Sequence, residues 1–304
     1  MDRTFNLDRE TWRRVKAAVA QAAEQVGHRG RRCRYPDTLI VAMYLWSVWH
    51  SRCLSWACDR VHYGDLLRPR KLPSISQFTR RVKSDSCQLI LQRAHELLDG
   101  GPACVEGGYF DGKPLAVSPV SKDPDATSGH VSGGFAKGYK LHAYVTKQRR
   151  IPVWSVMPLN VAEQSVALEL VPHLPAMTPD NLSMADSNYD SSPLYKAMNG
   201  RGHALLTPLK GQKRVKDGQH HPVTLRQMGP ARAEAVELWK KQPDLICYLL
   251  KGRNNVEGTF SVLTVALDLH LPAAVRRLHR VRRFIGGKII LYHARLLAQE
   301  SVAA

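Results

Sequence analysis

Apolar positions change their period once along the chain. Over residues 7–26 they recur at Trp12, Val15, Val19, Ala22 and Val26, the spacing of one buried helical face, with Asn6 or Asp8 as its cap. Pro36 opens a second helix that runs through Trp49. Residues 54–83 read as two further short helices, the second beginning at Ser74 after Pro73. One more covers 84–99, with Ile90, Ala94, Leu97 and Leu98 inward, and Gly100 and Gly101 end it. Beyond that point the pattern is that of strands. Val105, Tyr109 and Phe110 make a strand that runs into Asp111 and stops at Gly112 and Pro114. Residues 118–134, rich in Ser, Pro, Asp and Gly, read as a loop. Residues 138–146 then alternate Tyr139, Leu141, Ala143 and Val145 against Lys140, His142 and Tyr144. A turn at 147–150 returns the chain along 151–157 as a hairpin. There follow a helix at 161–174, a strand at 181–185, a helix at 193–198, a strand at 203–207, an exposed basic loop at 208–222, a helix at 225–241 and a strand at 245–250. Val256, Phe260, Leu263 and Leu267 mark another helix, and a last basic helix over 273–297 is interrupted at Gly286 and Gly287.

The switch in period divides the chain into an all-helical domain at 1–101 and an α/β domain at 102–304, the latter with a basic insertion at about 208–250. Charge then narrows the partner. Lys and Arg number 44 against 26 Asp and Glu, a net charge of +18 that suits a surface meeting phosphate. The cations cluster: four arginines lie between Arg29 and Arg34, Arg80 and Arg81 sit with Lys83 on the later turn of a short helix, and Lys210, Lys213 and Arg214 occupy the basic loop. Arg80, Arg81, Lys210, Lys213 and Arg214 are therefore expected DNA contacts. The charged start does not predict export, and the longest apolar run, 39–46, falls far short of the ~18 residues of a membrane span. Six scattered cysteines without a CxxC pair predict reduced thiols in a cytoplasmic protein with no membrane association. Cys53, Cys58 and His62 lack a fourth ligand, so packing is expected there rather than zinc.

Three acids stand out by position. Asp111 lies at the exit of the first strand, Asp186 at the end of the fourth, 75 residues on, and Glu257 on the late helix, 71 further. This order fits an RNase H-like mixed sheet flanked by helices, in which the first and fourth strands lie side by side. Each acid alone has an ordinary explanation: a turn cap for Asp111, a turn start for Asp186, a solvated helix residue for Glu257. Asp190, four residues after Asp186, is expected to cap the following helix with Ser191.

Four motifs bring the acids together: YFDGKPL around Asp111, KGYKLHAYV at 137–145, MADSNYDSSPLY around Asp186 and RNNVEGTFSVL at 253–263. Through them the chain resembles the DDE transposases of bacterial insertion sequences, of the insertion sequence four and five type, over about residues 74–297. Arg253 followed at the fourth place by Glu257 is the most diagnostic piece. The family pattern also has a Tyr three before that Arg and a Lys seven after the Glu, where this chain has Leu250 and Thr264. Tyr248 is out of register, and Lys251, Arg276 or Arg277 can stand in for the missing cation.

The resemblance implies that Asp111, Asp186 and Glu257 hold two magnesium or manganese ions about 3.5–4 Å apart, with Asp111 bridging them. Water then attacks at the transposon end, and the freed 3′ hydroxyl attacks target DNA. Arg253 and Lys140 would neutralise phosphate. It further implies a homodimer on paired ends of double-stranded DNA in the bacterial nucleoid. Two other readings keep part of this chemistry: a metal-dependent nuclease that cuts without joining, and a DNA-binding repressor with a dead site.

Overall fold

The structure, a computed structural model, describes residues 3–27, 34–100, 104–178, 182–208 and 228–303. The chain begins with helices α1 (Arg3–Val26) and α2 (Asp37–Trp49), two 3-10 turns at Trp56–Cys58 and Arg60–His62, then α3 (Ile75–Val82) and α4 (Asp85–Asp99). Strands β1 (Cys104–Val105), β2 (Gly108–Ala116), β3 (Thr127–Val131), β4 (Gly134–Thr146) and β5 (Val153–Pro158) follow. Next come α5 (Glu163–Leu170), β6 (Ala176–Met177), β7 (Leu182–Met184), α6 (Ser192–Gly200) and β8 (Ala204–Leu206). Helices α7 (Pro230–Lys241), α8 (Pro243–Leu250), α9 (Asn254–Val265) and α10 (Leu278–Ala303) complete the described chain. No described helix is long and apolar enough to cross a membrane.

These elements form two compact units. One gathers Met1–Gly100, Lys122–Asp125 and Val262–Ala304; the other Gly101–Ser121 and Ala126–Ser261. Relative to the expected division at residue 101, two segments group with the N-terminal helices and not with the strands: Lys122–Asp125 and the C-terminal Val262–Ala304.

In the helical unit, α1 buries the predicted stripe of Trp12, Val15, Val19 and Ala22. Ser74 and Gln77 close a capping box at the start of α3, and Gly100 ends α4 in the left-handed conformation at φ 51°. Helix α10 runs through Gly286 and Gly287 without the expected break. A Cβ on Gly287 would lie 3.0 Å from Val48 Cγ1, so this glycine is a point of close approach to α2 and not a stop.

In the other unit the sheet order is β3-β4-β2-β7-β8, with β5 also pairing β4. Strand β2 is antiparallel to β4 and parallel to β7, which is parallel to β8. The first and fourth of the expected strands are thus neighbours, as predicted. β1 and β6 form a separate parallel pair.

Several boundaries differ from expectation. Strand β2 does not stop at Gly112 and Pro114 but continues to Ala116. Beyond Tyr109 it is paired only to β4, so Pro114, with no N–H to donate, lies on what is locally an edge. The supposed loop at 118–134 contains β3, which takes its register from the start of β4. Residues 245–250 form helix α8 instead of a strand, because Pro243 in its first turn opens a helix that a short apolar run does not exclude. Ser191 stands at the N-cap of α6 without a capping hydrogen bond from its own side chain, and Asp190 receives both Nε and an Nη of Arg232 at 2.7 Å.

Candidate active site

Tyr109 is paired with Met184 where β2 and β7 run parallel, and two residues beyond each lies an acid, Asp111 and Asp186. The register thus brings the chain to Asp111, within β2, and to Asp186, just past the end of β7, from one paired position. Gly107 permits the approach: its φ is 89°, and a Cβ there would stand 2.2 Å from the Leu182 carbonyl oxygen.

Both carboxylates are oriented by backbone amides. Asp111 Oδ1 accepts the Gly112 N–H at 2.8 Å. Asp186 caps the 3-10 turn Ser187–Tyr189, its Oδ1 accepting the Asn188 N–H at 2.8 Å and its Oδ2 the Asn188 side-chain amide at 3.3 Å. Burial pushes the Asp111 carboxyl up to about 6; the Gly112 amide and Arg253 oppose this, and the negative charges of Asp186 and Glu163 add to it. Asp186 is likewise raised, by burial first, with Glu163 adding and the Asn188 amide, Arg253 and Lys140 opposing. Tyr189 stacks on Phe110 with ring centres 5.9 Å apart, and its buried hydroxyl has no hydrogen-bond partner among the described residues.

Arg253 ends the 3-10 turn Lys251–Arg253 that leads into α9. This turn lies on β2 because residue 252 is glycine, where a Cβ would meet the Tyr109 hydroxyl at 2.3 Å. The Arg253 Nε is buried without a hydrogen bond among the described residues, and the charge of Arg253 acts on both aspartates. Glu257, one turn later in α9, is exposed. Among the described residues no three His, Cys, Asp or Glu side chains form a group able to hold a metal ion. The structure therefore brings Asp111, Asp186 and Arg253 together and leaves the expected third acid on the surface.

Sequence reasoning missed Glu163. It opens α5, and its Oε1 accepts the Lys140 ammonium at 2.7 Å, each side chain only 12% exposed. Its Oε2 is buried without a hydrogen-bond partner among the described residues. Gly112 makes the room, since a Cβ there would meet Lys140 Cδ at 2.9 Å and Glu163 Oε1 at 3.1 Å. The available signal was Lys140 itself, a cation in the buried stretch 138–146 of β4, which calls for a buried counter-charge. Lys140 is thus engaged within the protein. So is Arg81, which pairs with Asp37, whereas Arg80 is exposed. Lys210, Lys213 and Arg214 lie outside the described residues.

Residues 105–293, more than half of the chain, match the family model of the transposase DDE domain. The chain belongs to this transposase family. No curated protein and no solved structure matches it. The strand order and flanking helices are those expected of a DDE transposase, an RNase H-like sheet with a helical region before it. Transposases of this family act with divalent metal ions, and the donor chemistry here fits one: two carboxylates, one within β2 and one just past β7, both raised toward protonation by burial first and by neighbouring carboxylates, beside buried polar atoms without hydrogen-bond partners among the described residues.

Proposed function

We propose that this transposase cuts DNA at the ends of a mobile element and joins the freed ends to target DNA, with Asp111 and Asp186 as the principal metal ligands and Glu257 as the third acid. The observation that supports this most is that each aspartate follows two residues after the paired Tyr109 and Met184 of the parallel strands β2 and β7. Two bound magnesium or manganese ions would supply Lewis-acid stabilisation to the attacking and leaving oxygens. The protein's own groups do the rest. The amides of Gly112 and Asn188 aim the carboxylates, and Arg253 neutralises the scissile phosphate. Glu257 stands four residues after Arg253, about one helical turn further along the chain.

In the first step a water oxygen bonds to phosphorus and the bond to the 3′ oxygen breaks, freeing a 3′ hydroxyl. In the second, that hydroxyl attacks a phosphodiester of the target, releasing a 3′ hydroxyl there. The partner is double-stranded DNA at the element's ends and at the target, bound by a homodimer.

A nicking and joining assay with labelled end DNA, supercoiled plasmid and Mg²⁺ tests this. Asp111→Asn, Asp186→Asn and Glu257→Gln should each abolish cutting while DNA binding persists. Full cutting by Glu257→Gln, with loss in a folded Glu163→Gln, would move the third role to Glu163. Cutting without joining would make the protein a nuclease, and tight binding with neither, unchanged by Asp111→Asn, a repressor.

A further inference from the structure

Within the helical unit, α2, α3 and the start of α10 enclose a cavity of about 260 Å³. Four cations line it, Arg52, Lys83, Arg280 and Arg283, and no Asp or Glu does. Arg52, Lys83 and Arg280 are exposed, and none of the three has a carboxylate partner among the described residues. Arg283 is steadied by donating its Nε to Gln88 Oε1 at 3.1 Å. Ile75, 53% exposed, adds an apolar wall. Four like charges around one concavity repel each other unless an anion enters it. The same repulsion is felt by His279, held below the usual histidine value by burial first and then by Arg283, Arg280, Lys83 and Arg277.

The local backbone is built to keep these cations in place. Asp123 accepts the Arg277 N–H with both oxygens, at 3.1 and 3.0 Å, and Asp125 accepts the Leu278 N–H at 2.8 Å. Arg277 is held at φ 71°, in the left-handed region that a non-glycine residue seldom adopts. Exposed cations also continue past the cavity in the chain: Arg80 follows Thr79 of its wall, and Arg276 and Arg277 follow Val275. A run of this length suits a polyanion better than a single small anion.

We propose that this cavity is a docking site for the phosphate backbone of duplex DNA, with Arg52, Lys83 and Arg280 as phosphate contacts and Ile75 against deoxyribose. The proposal rests on the reading that the protein acts on DNA. It moves the expected contact of the helical unit from Arg81, which Asp37 engages, to a surface that includes the C-terminal helix.

The test is equilibrium binding of the full chain to a fluorescent 30-base-pair duplex of random sequence, in EDTA so that no cutting occurs, across 50 to 200 mM salt. Each phosphate contact contributes about 0.9 to the slope of log affinity against log salt, so Arg52→Ala, Lys83→Ala and Arg280→Ala together should lower the slope by about 2.7. Over that fourfold range of salt the wild type should lose roughly 40-fold more affinity than the triple variant, because 4 raised to 2.7 is about 40. Arg68→Ala, an exposed cation paired with Asp65, should leave the slope unchanged. If the triple variant fails to fold by circular dichroism, the single variants decide, at about 0.9 each. An unchanged slope in folded variants overturns the proposal. So does micromolar binding of inorganic phosphate at the cavity combined with an unchanged duplex slope. Neither result depends on whether Asp111→Asn still cuts, so this inference and the catalytic reading fail separately.

Discussion

Replacing Asp111 by Asn should make the metal-free protein more stable at neutral pH although it removes a ligand. In the folded chain this carboxyl is pushed from 3.8 up to about 6, chiefly by burial. A raised carboxyl favours the folded state when protonated, so its contribution is complete below the unfolded value near 4. That contribution is lost as pH rises toward 6 and is absent above it. A displacement of about two pH units corresponds to about 3 kcal/mol. Asn is neutral, nearly the same shape, and keeps an oxygen for the Gly112 N–H. Hydrogen exchange of peptides spanning β2, followed by mass spectrometry in EDTA, reads the effect locally. At pH 7.5 the variant should open roughly 100-fold less often than the wild type, with the gap narrowing below pH 6 and closing near pH 4. Saturating Mg²⁺ should protect the wild type and leave the variant unchanged. A variant that opens as often as the wild type at pH 7.5, or a gap that persists at pH 4, would refute the reasoning.

Breaking the Lys140–Glu163 pair should cost about 3–5 kcal/mol in urea unfolding for Lys140→Met, since it leaves a buried carboxylate alone, and adding Glu163→Leu should recover most of the loss. Arg232→Ala should cost a similar amount, about 3–5 kcal/mol, because the Asp190 side chain is fully buried; Arg232→Lys should recover only part, as a lysine cannot supply the two-pronged bond. Gly107→Ala should part β2 from β7 and sharply lower the nicking rate while duplex affinity holds, which the nicking and binding assays read side by side. The excised fragment 1–101 should lack a cooperative thermal transition by circular dichroism, since it omits α10.

What could be read from the residues was whatever depends on neighbours in the chain. The stripe of α1, the alternation of β4 and the acids within β2 and after β7 are local patterns, and the motifs around Asp111 and Asp186 carried their pairing in space. Glu163 was hidden because a single acid at a helix start has no local mark; its meaning lies in Lys140, 23 residues away, and in the missing side chain of Gly112. Helix α8 was misread because six apolar residues in a row suit a buried strand as well as a helix. Gly286 and Gly287 looked like a break, yet Gly287 marks a close crossing with Val48, a fact that exists only once both helices are packed. Strand β3 borrows its order from β4, and composition does not say which core a terminal helix joins.

The helical unit is stitched shut across almost the whole chain: Arg295 bonds Asp8 at 2.7 Å, and Arg14 bonds Ser301, each pair 287 residues apart. On a ribosome adding 5–20 residues per second, the first helix waits roughly 15 to 60 s for its last partner. The strands of the sheet, encoded between, emerge and can assemble in that interval. A chain cut short by a nonsense codon thus keeps a finished sheet beside an open apolar seam, a substrate for proteases and chaperones rather than a working fragment.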